Sequence, residues 1–133
     1  MRMQAVLLLF LAGMTVGAAG CLAVAAGAGA AGTVAYMAGD LETDVSEDLD
    51  TLYAATRKAL GDLELGIIEG KSAKDGLSAT LVARDADDKK VTVKLKSISD
   101  EMTELSIRVG VFGNETKSQL IYGKILDNLD SVE

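Results

Sequence analysis

Residues 77–111 alternate, and that alternation constrains the fold more than any other feature of the chain. Leu77, Ala79, Leu81 and Ala83 interleave with Ser78, Thr80, Val82 and Arg84. Val91, Val93 and Leu95 interleave with Lys90, Thr92, Lys94 and Lys96, and Leu105, Ile107, Val109 and Val111 with Ser106, Arg108 and Gly110. A period of two sends successive side chains to opposite faces, so three such segments describe an antiparallel meander with one apolar and one wet face. Lys74-Asp75-Gly76 and Asp85-Ala86-Asp87-Asp88-Lys89 are turn signals, and the polar stretch 97–103 is a connection. A sheet that is apolar on one side needs a cover with a matching apolar stripe.

Two helices supply that cover. Leu49, Leu52, Tyr53, Thr56, Ala59, Leu60 and Leu63 recur at helical spacing, with Asp48, Asp50, Arg57, Lys58 and Asp62 off the stripe. Ser46 is the expected N-cap, Glu47, Asp48 and Asp50 suit the positive end of the dipole, and Gly61 or Gly66 marks the stop. A second helix spans about 115–129, with Ile121, Tyr122, Ile125 and Leu129 on one side and Gly123 weakening it. Before the first helix, 33–37 and 41–45 have strand character but opposite phase. A bulge or a tight hairpin at Gly39 reconciles them. A brief strand at 65–69 precedes the meander. The expectation is an α+β, two-layer sandwich over 33–133, an antiparallel sheet with two amphipathic helices on one face. The place of the first strand in the sheet is left open.

Ahead of this domain, residues 5–21 carry no charge, follow Arg2 and end in Ala18-Ala19-Gly20-Cys21. A short apolar run behind a basic start and closed by small residues is the pattern of an export signal. Ala19, Gly20 and Cys21 resemble the lipobox of bacterial lipoproteins, with Ala18 where that pattern usually has Leu. The resemblance implies a signal peptide over 1–20, cleavage before Cys21 and acylation of Cys21. It also implies attachment to the bacterial cell envelope, with Leu22 in place of a retaining Asp favouring the outer membrane, facing the periplasm. More than one acyl chain makes such attachment effectively permanent, at roughly 0.8 kcal/mol per buried methylene. An uncleaved single membrane span is the alternative, since the near-apolar run continues toward Ala38. Residues 22–32, LAVAAGAGAAG, contain nothing large enough to pack and suit a flexible spacer; a glycine-zipper segment is the rival reading.

Composition then excludes function classes. Net charge is −7, and loss of residues 1–20 removes Arg2 and no acid, giving −8. That balance opposes a phosphate-binding face for nucleic acid. There is no histidine, and the single cysteine is the one placed for acylation. Histidine-dependent nucleophilic catalysis and histidine metal sites are therefore absent. No glycine-rich phosphate loop follows a strand. Asp40, Glu42 and Asp44, and Asp85, Asp87 and Asp88, fit a solvated strand face and a turn rather than a twelve-residue calcium loop. No catalytic residue, cofactor or metal is expected, and the chain is not expected to be an enzyme.

Cys21, the Ala/Gly spacer, Gly32 to Tyr36, Gly39 to Glu42, Leu52 to Thr56 with Ala59-Leu60, and Ile107 to Gly110 with Phe112-Gly113 resemble short bacterial lipoproteins grouped as a domain of unknown function. The resemblance implies an anchored protein with this strand–helix–meander–helix order and carries no reaction or ligand.

The residues left for recognition are Lys94, Lys96 and Arg108, on outward strand positions, with Lys90 and Thr92 in the same row. Gly110 leaves space beside Arg108 for an acid, either an external group or a neighbouring strand's own carboxylate. With the acidic 40–50 segment, they suggest a bipolar molecule. The expected function is a non-catalytic anchored adaptor binding another envelope protein; the alternative is a structural, self-associating lipoprotein.

Overall fold

The computed structural model describes residues 34–130. In chain order these form strands β1 (Ala35–Met37) and β2 (Asp40–Val45), helix α1 (Leu49–Asp62) and strand β3 (Gly66–Ile67). A 3-10 turn at Glu69–Lys71 leads to β4 (Ala73–Lys74), β5 (Ser78–Arg84), β6 (Lys90–Ser99), β7 (Met102–Val109) and helix α2 (Glu115–Asp130). The fold is α+β. One open antiparallel sheet of seven strands has the order β1-β2-β7-β6-β5-β3, with β4 also paired to β5. The first strand therefore lies at an edge, and the β1–β2 hairpin joins the meander through β2 and β7.

Hairpin geometry resolves the phase conflict between 33–37 and 41–45. Ala38 (φ 54°) and Gly39 (φ 90°) both have positive φ, as a two-residue type I′ turn requires. Pairing Tyr36 with Leu41 then puts both on the core side. The 97–103 segment is not a loop: β6 runs to Ser99 and β7 begins at Met102, with a register shift between Ser97 and Ser99 absorbing the odd residue. Thr103 is buried there, its hydroxyl donating to the Glu47 carbonyl at 2.9 Å.

The cap of α1 is Asp48 rather than Ser46. Its carboxylate accepts from the Thr51 amide at 2.8 Å and the Thr51 hydroxyl at 2.7 Å, which holds it below the usual carboxylate range. An acid at that position answers both the orphan amide and the dipole, which a serine answers only in part. At the other end neither Gly61 nor Gly66 turns the chain. Glu64 takes the left-handed conformation (φ 59°), Leu65 N–H donates to Leu60 C=O and Glu64 N–H to Gly61 C=O, a Schellman closure. Arg57 reaches Glu69 at 2.6 Å, and Lys74 reaches Asp50 at 2.6 Å. Both cations flank the Tyr53 ring, at 5.8 and 5.6 Å from its centre.

The core lies on one side of the sheet. Leu41 and Val45, Leu52 and Leu60, Leu81, Val91, Val93, Leu95, Leu105, Ile107 and Val109 are almost fully buried with Ile125 beneath the two helices. Two buried polar side chains on the helices are bonded: Thr56 donates to Leu52 C=O at 2.7 Å, and Asn128 joins Asp62 of α1 to Lys124 C=O, whereas the buried Ser118 hydroxyl on α2 has no partner among the described residues. Tyr122 is buried on α2; burial raises its phenol pKa, opposed by the Thr43 hydroxyl. Equilibrium urea unfolding checks this layering. Leu52→Ala and Leu60→Ala should each cost roughly 2–5 kcal/mol, whereas Lys58→Ala should move stability by less than about 0.5 kcal/mol. Gly123 has open space where a Cβ would stand, so Gly123→Ala should stabilise by roughly 0.5–1 kcal/mol.

Candidate functional site

The sheet face away from the helices is where the candidate residues lie, and register sets their neighbours. Lys94 stands between Thr80 and Ser106, with Glu42 beyond; Lys96 stands between Ser78 and Glu104, with Asp44 beyond; Arg108 stands between Thr92 and Asp40. The acids of β2 thus share the face with the lysines, so the face is a mosaic in which acidic β2 lies one strand away from basic β6, across β7. The expectation of an acidic segment separated from a basic face is corrected by this register. Strands β2 and β6 are both outward at the same positions because β7 lies between them in phase with each.

The three candidates differ in what they have left to offer. Arg108 is committed: Nη1 donates to Asp40 Oδ1 at 3.1 Å and to Ala38 C=O at 3.2 Å, and Nη2 donates to Val111 C=O at 2.7 Å. One guanidinium therefore ties the β1–β2 turn to the loop after β7. The two backbones meet closely. A Cβ on Gly39 would lie 2.8 Å from Phe112 C=O, and one on Gly113 would strike the Gly39 backbone and come within 2.6 Å of the Tyr36 hydroxyl. Lys94 and Lys96 are exposed and have no carboxylate within 4.0 Å among the described residues. They border a groove of about 930 Å³ whose lining includes Thr80, Ser106, Asp40, Glu42 and Leu77.

The acidic turn at 85–88 is likewise spoken for. Asp85 accepts from Lys117 Nζ at 2.9 Å and from the Asp87 and Lys89 amides at 2.9 and 2.8 Å. The Lys117 ammonium is the main reason its carboxyl sits below the usual range. Asp87 is 3.7 Å from the same lysine and Asp88 is 3.3 Å from Arg84. Among the described residues no group of three or more Cys, Asp or Glu side chains is arranged to hold a metal ion, and no helix is long and apolar enough to cross a membrane. Cys21, the apolar run and the Ala/Gly segment lie outside the described residues.

Sequence periodicity put Leu77 and Val111 on the inward face, yet both are exposed, because Leu77 lies one residue before the start of its strand and Val111 two residues after the end of its own. Periodicity also had no place for Phe112, the most exposed large apolar residue of the described chain. The available signal was the pair of glycines at 110 and 113 around it, which release the chain from the ladder.

The model of the family described as a protein of unknown function, DUF3568, matches residues 4–128. The chain belongs to the DUF3568 family. The matched span takes in Cys21, every strand and most of α2, and the family's description assigns no activity, in line with the resemblance to an uncharacterised group. No curated protein matches this DUF3568 member.

The Arg108 clamp makes a stability prediction of its own. Arg108→Ala should lower the urea midpoint, and Gly113→Ala, strained at φ +82° and blocked by backbone, should cost about 1–3 kcal/mol. Gly113→Ala no more destabilising than an exposed-loop substitution would show that the two turns do not depend on each other.

Proposed function

We propose that this chain is a non-catalytic, membrane-anchored lipoprotein of the bacterial envelope whose open sheet face binds an acidic segment of another envelope protein. The observation that carries the reading is the sheet face away from the helices, bearing Lys94 and Lys96, exposed and without an ion-pair partner among the described residues, beside a groove of about 930 Å³. Charges held on a rigid sheet orient an oppositely charged partner and speed encounter, and their contribution falls with salt. Arg108 supports the face from within, keeping the β1–β2 hairpin in line, and does not itself have a free donor fork for the partner. The anchor rests on residues 5–21 and the Ala19-Gly20-Cys21 sequence. A chemistry-free role agrees with the lack of histidine and with carboxylates already paired to Lys117, Arg84 and Arg108.

Two measurements test this. Cys21→Ser should abolish incorporation of labelled palmitate in growing cells, and continued labelling would remove the lipoprotein reading. Lys94→Glu with Lys96→Glu should leave the circular dichroism and melting midpoint unchanged while reducing partner recovery after crosslinking in intact cells. Recovery equal to wild type in the folded, correctly localised double variant would rule this face out. A crosslinked product consisting only of the chain itself would favour the self-associating alternative.

A further inference from the structure

We propose that the loop between β7 and α2 docks the domain onto an anionic lipid surface, with Val111 and Phe112 entering the headgroup layer and Lys89 and Lys90 meeting the lipid phosphates. The inference extends the anchoring reading above and rests on it for the chain's presence at a membrane.

Phe112 is 92% exposed and Val111 79%, and Met37, one residue before the β1–β2 turn, is 68% exposed. The chain has only two phenylalanines, and the other, Phe10, belongs to the apolar run. A domain with so few aromatics leaves this one entirely in water, although its core is otherwise closed. The loop that presents it is ordered from behind: Arg108 holds Val111 C=O, Gly113 sits on the Gly39 backbone, and Gly110 N–H donates to Lys90 C=O at 2.7 Å. A pre-set apolar tip loses little freedom on entering a new environment.

Charge around the tip matches phosphates. The loop and the β5–β6 turn enclose a groove of about 670 Å³ lined by Arg84, Lys89, Lys90 and Arg108 against one carboxylate, Asp88. Asp88 is paired to Arg84, Asp40 to Arg108, and Asp85 and Asp87 to Lys117. Among the described residues, Lys89 and Lys90 are exposed with no carboxylate within 4.0 Å, and Glu115 is the acid nearest the loop in sequence that makes no ion pair. Apolar side chains flanked by lysines are the composition that partitions into the interface of anionic bilayers. The far end of the sheet makes the contrast. Leu77 (73%) and Ile98 (52%) are also exposed there, but Asp75, Asp100 and Glu101 stand beside them in sequence, and an anionic surface would repel that end.

Reach is sufficient. The described chain begins at Val34 and runs along β1 for three residues to Met37, roughly 10 Å at the rise of a strand. Residues 22–33, at no more than about 3.5 Å each, span at most about 40 Å from Cys21. The tip therefore lies close to the point where the chain enters the domain.

The absence of tryptophan allows a direct test on the full chain. Phe112→Trp and, as control, Leu77→Trp each give a single-tryptophan reporter, reconstituted into phosphatidylcholine vesicles with or without phosphatidylglycerol. Flotation reads the anchor, and quenching of tryptophan by lipids brominated near the headgroup reads the tip. With phosphatidylglycerol present, Phe112→Trp should be quenched about two-fold or more beyond Leu77→Trp, with a blue-shifted emission. Adding Lys89→Glu and Lys90→Glu should return quenching to the control level while flotation persists. Flotation with Phe112→Trp quenched no more than Leu77→Trp overturns the proposal. So does a blue shift that grows with protein concentration and ignores bromination, which assigns the tip to a second copy of the chain. A chain that fails to float with neutral vesicles, yet shows phosphatidylglycerol-dependent quenching at position 112, refutes the anchor and supports the tip.

Discussion

One-sided burial governs this molecule. Seven strands form a single sheet, and both helices lie on the same face of it, so no helix covers the other face, where Val82 of β5 is nonetheless buried. The inner residues of β2, β5, β6 and β7 are uniformly apolar, with Thr43 and Thr103 as exceptions. The outer ones must be polar, and here they are mostly charged or hydroxylated. Everything available for recognition follows from that division. Groups that a second helical layer would have covered are instead held at fixed spacing on a rigid surface, with the orientation of each dictated by the pleat rather than by a loop.

The division was readable from the chain because it is periodic. Leu81, Val93, Leu105 and Ile107 announce a buried face by alternating with polar neighbours, and Leu52 and Leu60 announce the helix that meets it. What periodicity does not contain is which strand lies beside which. The first hairpin could be placed only once β2 was seen to pair with β7, and that pairing decides that Asp40 faces Arg108 and that the β2 acids sit among the lysines. A strand's own sequence specifies its two faces but not its neighbour, so the electrostatics of the open face were legible residue by residue and not as a pattern.

The ends of elements were less legible still. Ser46 and Asp48 are both acceptable caps, and the choice fell to the one whose acid could take two donors from Thr51. Glu64 closes α1 in a conformation usually given to glycine, because two backbone hydrogen bonds and the burial of the neighbouring leucines offset the cost of a left-handed non-glycine residue. Arg108 shows the same competition at a site of interest. Its position on the wet face was foreseeable, but its consumption by two backbone carbonyls was not. One, Ala38 C=O, is brought to it by a turn some seventy positions earlier; the other, Val111 C=O, comes from the loop that follows its own strand.

The outer side of β5 carries a different consequence. Its neighbours β3 and β4 are two-residue fragments separated by a 3-10 turn, and between them Ser72 Oγ, not a main-chain carbonyl, accepts from the Val82 amide at 3.1 Å. At the opposite border stands β1, only three residues long. Neither border presents a long run of unpaired amides and carbonyls to an approaching strand, which is how natural sheets resist runaway polymerisation. Copies of this domain crowded together would meet broken borders, and contact between them would have to be made through side chains.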